Sequence, residues 1–449
     1  MLKLILNRYI LFAVLLNLIM IISLEESYIL VYIFNILSIG CYYLVLFSKL
    51  PKPLSFFNPI RLASIVFFYS LFFVIAFNAI SYYYNGNFYV FSESDAVFYH
   101  EFSKRIVNLS FWDGLNLFLL QATFEDLGVI LIISALYKIV ASNLLLNFFY
   151  LLIGVLTSLL IFRIGRNFMS QKYAFLSALA YSTSSFVLWF HASGLKESIM
   201  IFWIILFYDQ YYKYITRKRM FNILLMSFSL LALLLFRPVI IVFILGSVFT
   251  TLLLSKRKSI SIIIVIPFLL ILFYFASNFI DQLLGKFIGN NIDSMLRNKE
   301  ASGMVIINLP FTIVTNVLAT SFGPFPTILP GLKMHLSFYS VGLIFKVLLS
   351  ISFWIGVYFA YKRKMYKIFP LIFFVIFEGF SLTFILEGLE LRKSLPHIFA
   401  IFIVAFWFLD FFQKKNELPI KSRKKIISIV RFLIICFFFL ILIWNFKDV

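Results

Sequence analysis

The chain has 449 residues, of which 63% are hydrophobic, 20% aromatic and only 13% charged, with a formal net charge of +20. Soluble domains carry about 25% charged residues, so this composition excludes a soluble globular protein and points to an integral membrane protein. Cys41 and Cys436 both lie inside apolar runs, which excludes a disulfide framework.

Apolar runs of about 20 residues, each long enough to cross the hydrocarbon layer, recur along the sequence. Spans are predicted at residues 9–24, 28–47, 62–81, 144–162, 173–190, 195–212, 221–236, 239–255, 260–278, 337–360, 368–386, 395–413 and 427–446. The fold class expected is an all-α polytopic membrane protein of about thirteen spans, with amphipathic interfacial helices in the first large outer loop. The first run has no small-residue cleavage site and is expected to be a retained span. The expected organisation is a terminal hairpin (1–61), a catalytic transmembrane module (62–278) with an outer loop at 82–143, an outer loop at 279–336, and C-terminal helices (337–449).

With the amino terminus inside, 26 of the 39 Lys and Arg residues fall on inner loops, from Lys3 and Arg8 to the cluster at 414–431. The positive-inside rule and anionic lipid therefore account for most of the basicity, and nucleic acid is not expected as a partner. The carboxylates go the other way, with 15 of 19 outside and Glu378 within a span. No inner loop exceeds about twenty residues, and neither a Walker loop nor a dinucleotide fingerprint is present. Chemistry, if any, belongs at the outer face, with its driving force carried in by the substrate.

The first outer loop contains FYVFSESDAVFYHEFSKRIVNL at 88–109. Ser92, with Asp95 three residues on, resembles a capping box, and acids in a first turn suit the helix dipole without any function. Phe98, Phe102 and Ile106 recur at helical spacing, which predicts a helix lying on the membrane with that face in lipid. Its acids would then stand over the headgroups. Asp95 is the first choice as a general base toward an acceptor hydroxyl, and Glu93 either orients it or shares a divalent cation. Tyr99 and His100 follow one turn later as substrate contacts, although His100 also reads as an interfacial polar residue. Residues 127–142 are apolar but short, with Lys138 in the pattern, and are placed in the outer interface or as a re-entrant helix.

Four more outer features bear charge or fix shape. Lys196 stands in the first turn of a helix, where the dipole disfavours a cation, which suggests either a phosphate partner or pairing with Glu197. Arg237, followed by Pro238 at a tight hairpin, either snorkels or grips a phosphate bidentately. The turn from Glu387 to Lys393, which contains Arg392 and is followed by His397, is either a solvated loop or part of a site. The proline- and glycine-rich end of the loop at 279–336 predicts a rigid turn.

Between about 82 and 240 the chain resembles the GT-C-type membrane glycosyltransferases, the group that includes protein O-mannosyltransferases and aminoarabinose transferases. The carriers are SDAVFYHEFSKRI at 94–106, the stretches 125–142 and 163–189, and SGLKES at 193–198, with fainter echoes at 323–326 and 391–396. Two extra spans precede the loop that follows the first span in that family. The resemblance implies a polyprenyl-phosphate sugar donor, transfer at the outer leaflet of the cytoplasmic membrane to a glycan, lipid or protein acceptor, and an acid of the first large outer loop as base. That acid is Asp95, with Glu93 as the alternative, and Lys196, Arg237, Arg392 and Lys393 are candidates for the donor phosphate. A polysaccharide polymerase and a flippase for lipid-linked oligosaccharide remain the other readings.

Overall fold

A computed structural model describes residues 57–86, 94–121, 124–255, 309–323, 335–381, 391–414 and 420–446. Fifteen α-helices occupy them, with no strand among the described residues. They are α1 (Pro59–Asn85), α2 (Ser94–Ile106), α3 (Phe111–Gln121), α4 (Leu127–Tyr137), α5 (Asn143–Gly165), α6 (Gln171–Ser182), α7 (Ser185–Ser193) and α8 (Lys196–Arg217). Then come α9 (Met220–Leu234), α10 (Pro238–Leu254), α11 (Leu309–Phe322), α12 (His335–Lys362), α13 (Phe369–Ser381), α14 (Leu391–Gln413) and α15 (Ile420–Phe446).

Four of these are long and apolar enough to cross a membrane, in α1, α5, α12 and α14, or five if the bent pair α6–α7 counts as one span. The protein is thus a helical membrane protein. The stretch expected as one span at 173–190 is broken, with a 51° bend between α6 and α7. The break follows from local chemistry: the Thr183 and Ser184 hydroxyls donate to the carbonyls of Leu179 and Ala180, and the extended backbone of Ser184 starts a new helix.

The bundle is organised around α14, which packs on α6, α8, α12 and α13. Of its most apolar 18-residue window, 89% is buried, so this helix meets other helices rather than lipid. Helices α1, α5 and α8 pack in sequence on one side, and α10, α11 and α13 on the other. Small residues let the helices approach: a Cβ on Gly342 would stand 2.7 Å from the Phe186 ring, and one on Gly356 3.1 Å from Phe408.

Ion pairs mark one end of the bundle. Asp209 near the end of α8 receives Arg163 of α5 through two nitrogens (3.1 and 2.7 Å) and Lys213 at 2.8 Å. Asp410 near the end of α14 accepts from the backbone N–H and the hydroxyl of Ser170 and pairs with Lys414. Asp209 and Asp410, two of the three acids expected on the inner side with Glu417, therefore both sit next to cations; Glu417 lies outside the described residues. The first turns of α4, α8 and α10, with Lys196, Glu197 and Arg237, lie away from these ion pairs.

Candidate functional site

Helix α4 is what the short apolar run at 127–142 becomes. One side of it is covered by protein: Leu127, Gly128, Val129, Ile130 and Ile133 are buried, and α2 and α8 pack on it. Its entry is fixed by Gly128, whose N–H donates to the Leu235 carbonyl at 2.9 Å. A Cβ there would lie 2.7 Å from the Phe236 ring and 3.0 Å from that carbonyl, so glycine is required for the approach. The contact brings the start of α4, and Asp126 before it, to the level of Arg237.

Helix α2 covers α4, but with a different face from the one the aromatic spacing suggested. Ala96, Tyr99, Phe102 and Ser103 form its buried side, and Phe102 meets Phe118 of α3 edge to face. Phe98 remains exposed and Ile106 half-buried. The stripe expected in lipid is thus split, because its middle member turns into the protein.

At the join of α2, α4 and α8 stands a small charged cluster. Oδ1 of Asp126 accepts from the Tyr99 hydroxyl and from the Lys196 ammonium, each at 2.7 Å. Lys196 donates also to the Glu125 carbonyl at 3.2 Å. Lys196 is only 5% exposed, so its position at a helix start, adverse to a cation, is made tolerable by the half-buried carboxylate beside it. The sequence suggested Glu197 or a phosphate as its partner; within the protein its ion-pair partner is Asp126. The turn before Lys196 depends on Gly194, at φ +69°, whose carbonyl accepts from Tyr150 at 2.8 Å. Glu197 is fully buried in the first turn of α8, near enough to Tyr150 for its charge to act on the phenol.

The other predicted residues distribute as follows. Asp95 is half-buried in the first turn of α2, four residues before Tyr99 and so on the same face. Glu93 lies outside the described residues. Arg237 is half-buried at the N-cap of α10, and its guanidinium has no hydrogen-bond or ion-pair partner among the described residues. Arg392 and Lys393 open α14 and are described in backbone only. No three His, Cys, Asp or Glu residues come together as a metal-ligand group among the described residues.

His100 was expected as a substrate contact but is buried and turned toward Tyr137, whose hydroxyl meets Nδ1. Burial, and then Lys104 nearby, lower its pKa to about 4, against a weaker opposing pull from Glu101. The folded state therefore favours neutral imidazole. Its contribution is complete above pH ~6.5 and is lost as pH falls toward about 4, since the unfolded chain takes up the proton first. Thermal unfolding in detergent should show a loss of about 3 kcal/mol across that window. His100→Phe should flatten that part of the curve, and parallel profiles would contradict a buried neutral histidine.

Asp126 is the residue that sequence reasoning overlooked. A signal existed, since paired acids immediately before an apolar run mark a helix start. Chemically, the cluster fixes α2 over the start of α8 through one carboxylate oxygen. It leaves Asp95 one turn above a charge-balanced ion pair, with Arg237 half-buried at the same end. No protein-family model, no curated protein and no solved structure matches this chain.

Proposed function

We propose that this protein is a membrane glycosyltransferase that moves a sugar from a polyprenyl-phosphate donor to a glycan, lipid or protein acceptor. In this reading the chain crosses the cytoplasmic membrane thirteen times and works at its outer face, in the assembly of cell-surface glycans. The observation that carries it is the gathering at one end of the bundle of a half-buried Asp95, the Tyr99–Asp126–Lys196 cluster and an unpaired Arg237. The opposite end bears the ion pairs of Asp209 and Asp410 with basic residues, as the charge asymmetry of the sequence anticipates.

The roles follow from the chemistry. Asp95, or Glu93 in its stead, takes the proton of the acceptor hydroxyl as that oxygen attacks the anomeric carbon. The bond from that carbon to the phosphate oxygen breaks, and the electron pair leaves with the lipid phosphate. Arg237, aided by Arg392 and Lys393, holds that phosphate and balances its growing charge. Lys196 and Glu197 keep the framework of the site, with Asp126 as the anchor.

A second reading, a flippase for lipid-linked oligosaccharide, draws on the break between α6 and α7 and on α11, which ends inside the bundle against buried Lys346. A polymerase of lipid-linked repeat units would use the same outer chemistry as the transferase. Mass spectrometry of lipid-linked glycans in a deletion strain separates the readings. A transferase loss leaves a donor and an acceptor short by one sugar, and a polymerase loss leaves single repeat units. Complete glycans stranded on the inner leaflet would defeat the transferase reading in favour of flipping.

A further inference from the structure

Helix α7 is short and bounded by two turns, Thr183–Ser184 before it and Gly194–Leu195 after it. Beside it is a small space lined by residues of α5, α6, α7, α8 and α14, every one of them buried. It has room for about one water molecule. Three polar side chains line it: Ser182 at the end of α6, His191 in the last turn of α7 and Ser198 in the first turn of α8. None is more than 5% exposed, and Ser182 Oγ, His191 Nδ1 and Ser198 Oγ have no hydrogen-bond partner among the described residues.

Local geometry keeps these groups open. Hydroxyls in apolar helices commonly bond back to a carbonyl one turn earlier, as Thr157, Thr183 and Ser184 do. For Ser198 that carbonyl belongs to Gly194, and the Tyr150 hydroxyl already donates to it at 2.8 Å. Ser182 makes no such bond. A Cβ on Gly154 would stand 2.9 Å from Nε2 of His191, so α5 gives way to the imidazole and the Nε2 edge of the ring lies against it. Thr157 also lines the space, and because its hydroxyl donates to the Ile153 carbonyl its oxygen is left as an acceptor.

The lining chooses the ligand. No Asp, Glu, Lys or Arg is among the described residues that line the space, so it offers no counter-charge to a metal ion or to a phosphate. Hydroxyls and an imidazole nitrogen that converge from three helices both give and accept hydrogen bonds, as a neutral ligand of water size requires. A buried water makes about three such bonds, which matches the three open groups. We propose that Ser182, His191 and Ser198 form a binding site for a single water molecule, with Thr157 as a further acceptor. The water joins α6, α7 and α8 across both turns that bound α7. It thereby fixes the turn that presents Lys196 to Asp126, whatever reaction the chain carries out.

The test uses the full-length protein in liposomes, with its histidine nitrogens isotopically labelled. The chain has four histidines, and the ring signals of His191 are those lost in His191→Gln. In water-edited solid-state NMR, magnetisation should pass from water to the His191 ring despite its burial, with Nδ1 at the shift of a hydrogen-bonded nitrogen. The double variant Ser182→Ala, Ser198→Ala should cut that transfer by about twofold or more, since it removes two of the water's partners. Ser198→Val, which puts methyl groups in the space, should abolish it. Should these variants fail to fold, the wild-type spectrum decides alone. No transfer, with Nδ1 at the shift of a free nitrogen, overturns the site. Transfer unchanged in every variant overturns it too, because water then reaches the ring by another route. A change in the Nδ1 signal when Na⁺ is exchanged for K⁺ would also overturn it, by identifying a metal ion as the occupant.

Discussion

Asp95→Asn is expected to abolish sugar transfer while leaving the amount of protein in the membrane unchanged. The substitution keeps the size of the side chain and its place in the first turn of α2, so helix and packing persist. What it removes is the ability to accept a proton. General-base contributions of about 10²- to 10⁴-fold are ordinary, which sets the scale of the loss. Because asparagine keeps the size and hydrogen-bonding reach of the half-buried Asp95, the loss should fall on kcat rather than on thermal stability. The assay is transfer from a polyprenyl-phosphate sugar in proteoliposomes, with Glu93→Gln run in parallel. Full activity for Asp95→Asn with none for Glu93→Gln would move the base two residues upstream. Full activity in both would remove the base from this loop.

The contrast between Asp95 and Asp126 shows how far the sequence could be read. Helical class and the position of four spans, or five with the bent pair, follow from apolar length, because each span satisfies its own backbone and needs no information from distant residues. The level at which Lys196 and Arg237 gather also follows, because insertion rules place the ends of helices. What pairs with what does not follow. Asp126 and Lys196 are seventy residues apart, and nothing local at either position names the other. The same holds for Glu378 and His397, which become neighbours only through the packing of α13 on α14. Phe102 illustrates a different loss: its spacing with Phe98 and Ile106 was helical, but the spacing alone does not say whether lipid or α4 covers that face. The bend at Thr183–Ser184 was hidden for a similar reason, since hydroxyls that bond back to the helix appear in unbroken spans too.

Asp126→Ala is expected to be the most destabilising single change at the candidate site, because it strands a charge. Lys196 is 5% exposed and has the Asp126 carboxylate as its ion-pair partner, with the Glu125 carbonyl as a second acceptor. Removing the carboxylate leaves an ammonium at a helix start, desolvated and opposed by the dipole, and takes the acceptor from the Tyr99 hydroxyl. Breaking a buried pair from one side costs about 3–5 kcal/mol. Lys196→Met should cost less, about 1–2 kcal/mol, since the carboxylate keeps the Tyr99 hydrogen bond and its side chain is 15% exposed. The double variant Asp126→Ala, Lys196→Met carries no stranded charge. It should therefore be more stable than Asp126→Ala alone, with a coupling energy of about 1–3 kcal/mol. Thermal unfolding of the four proteins in one detergent closes the cycle. If the two single losses simply add, Asp126 and Lys196 do not act as a unit, and the placement of α2 over α8 must rest on apolar packing instead.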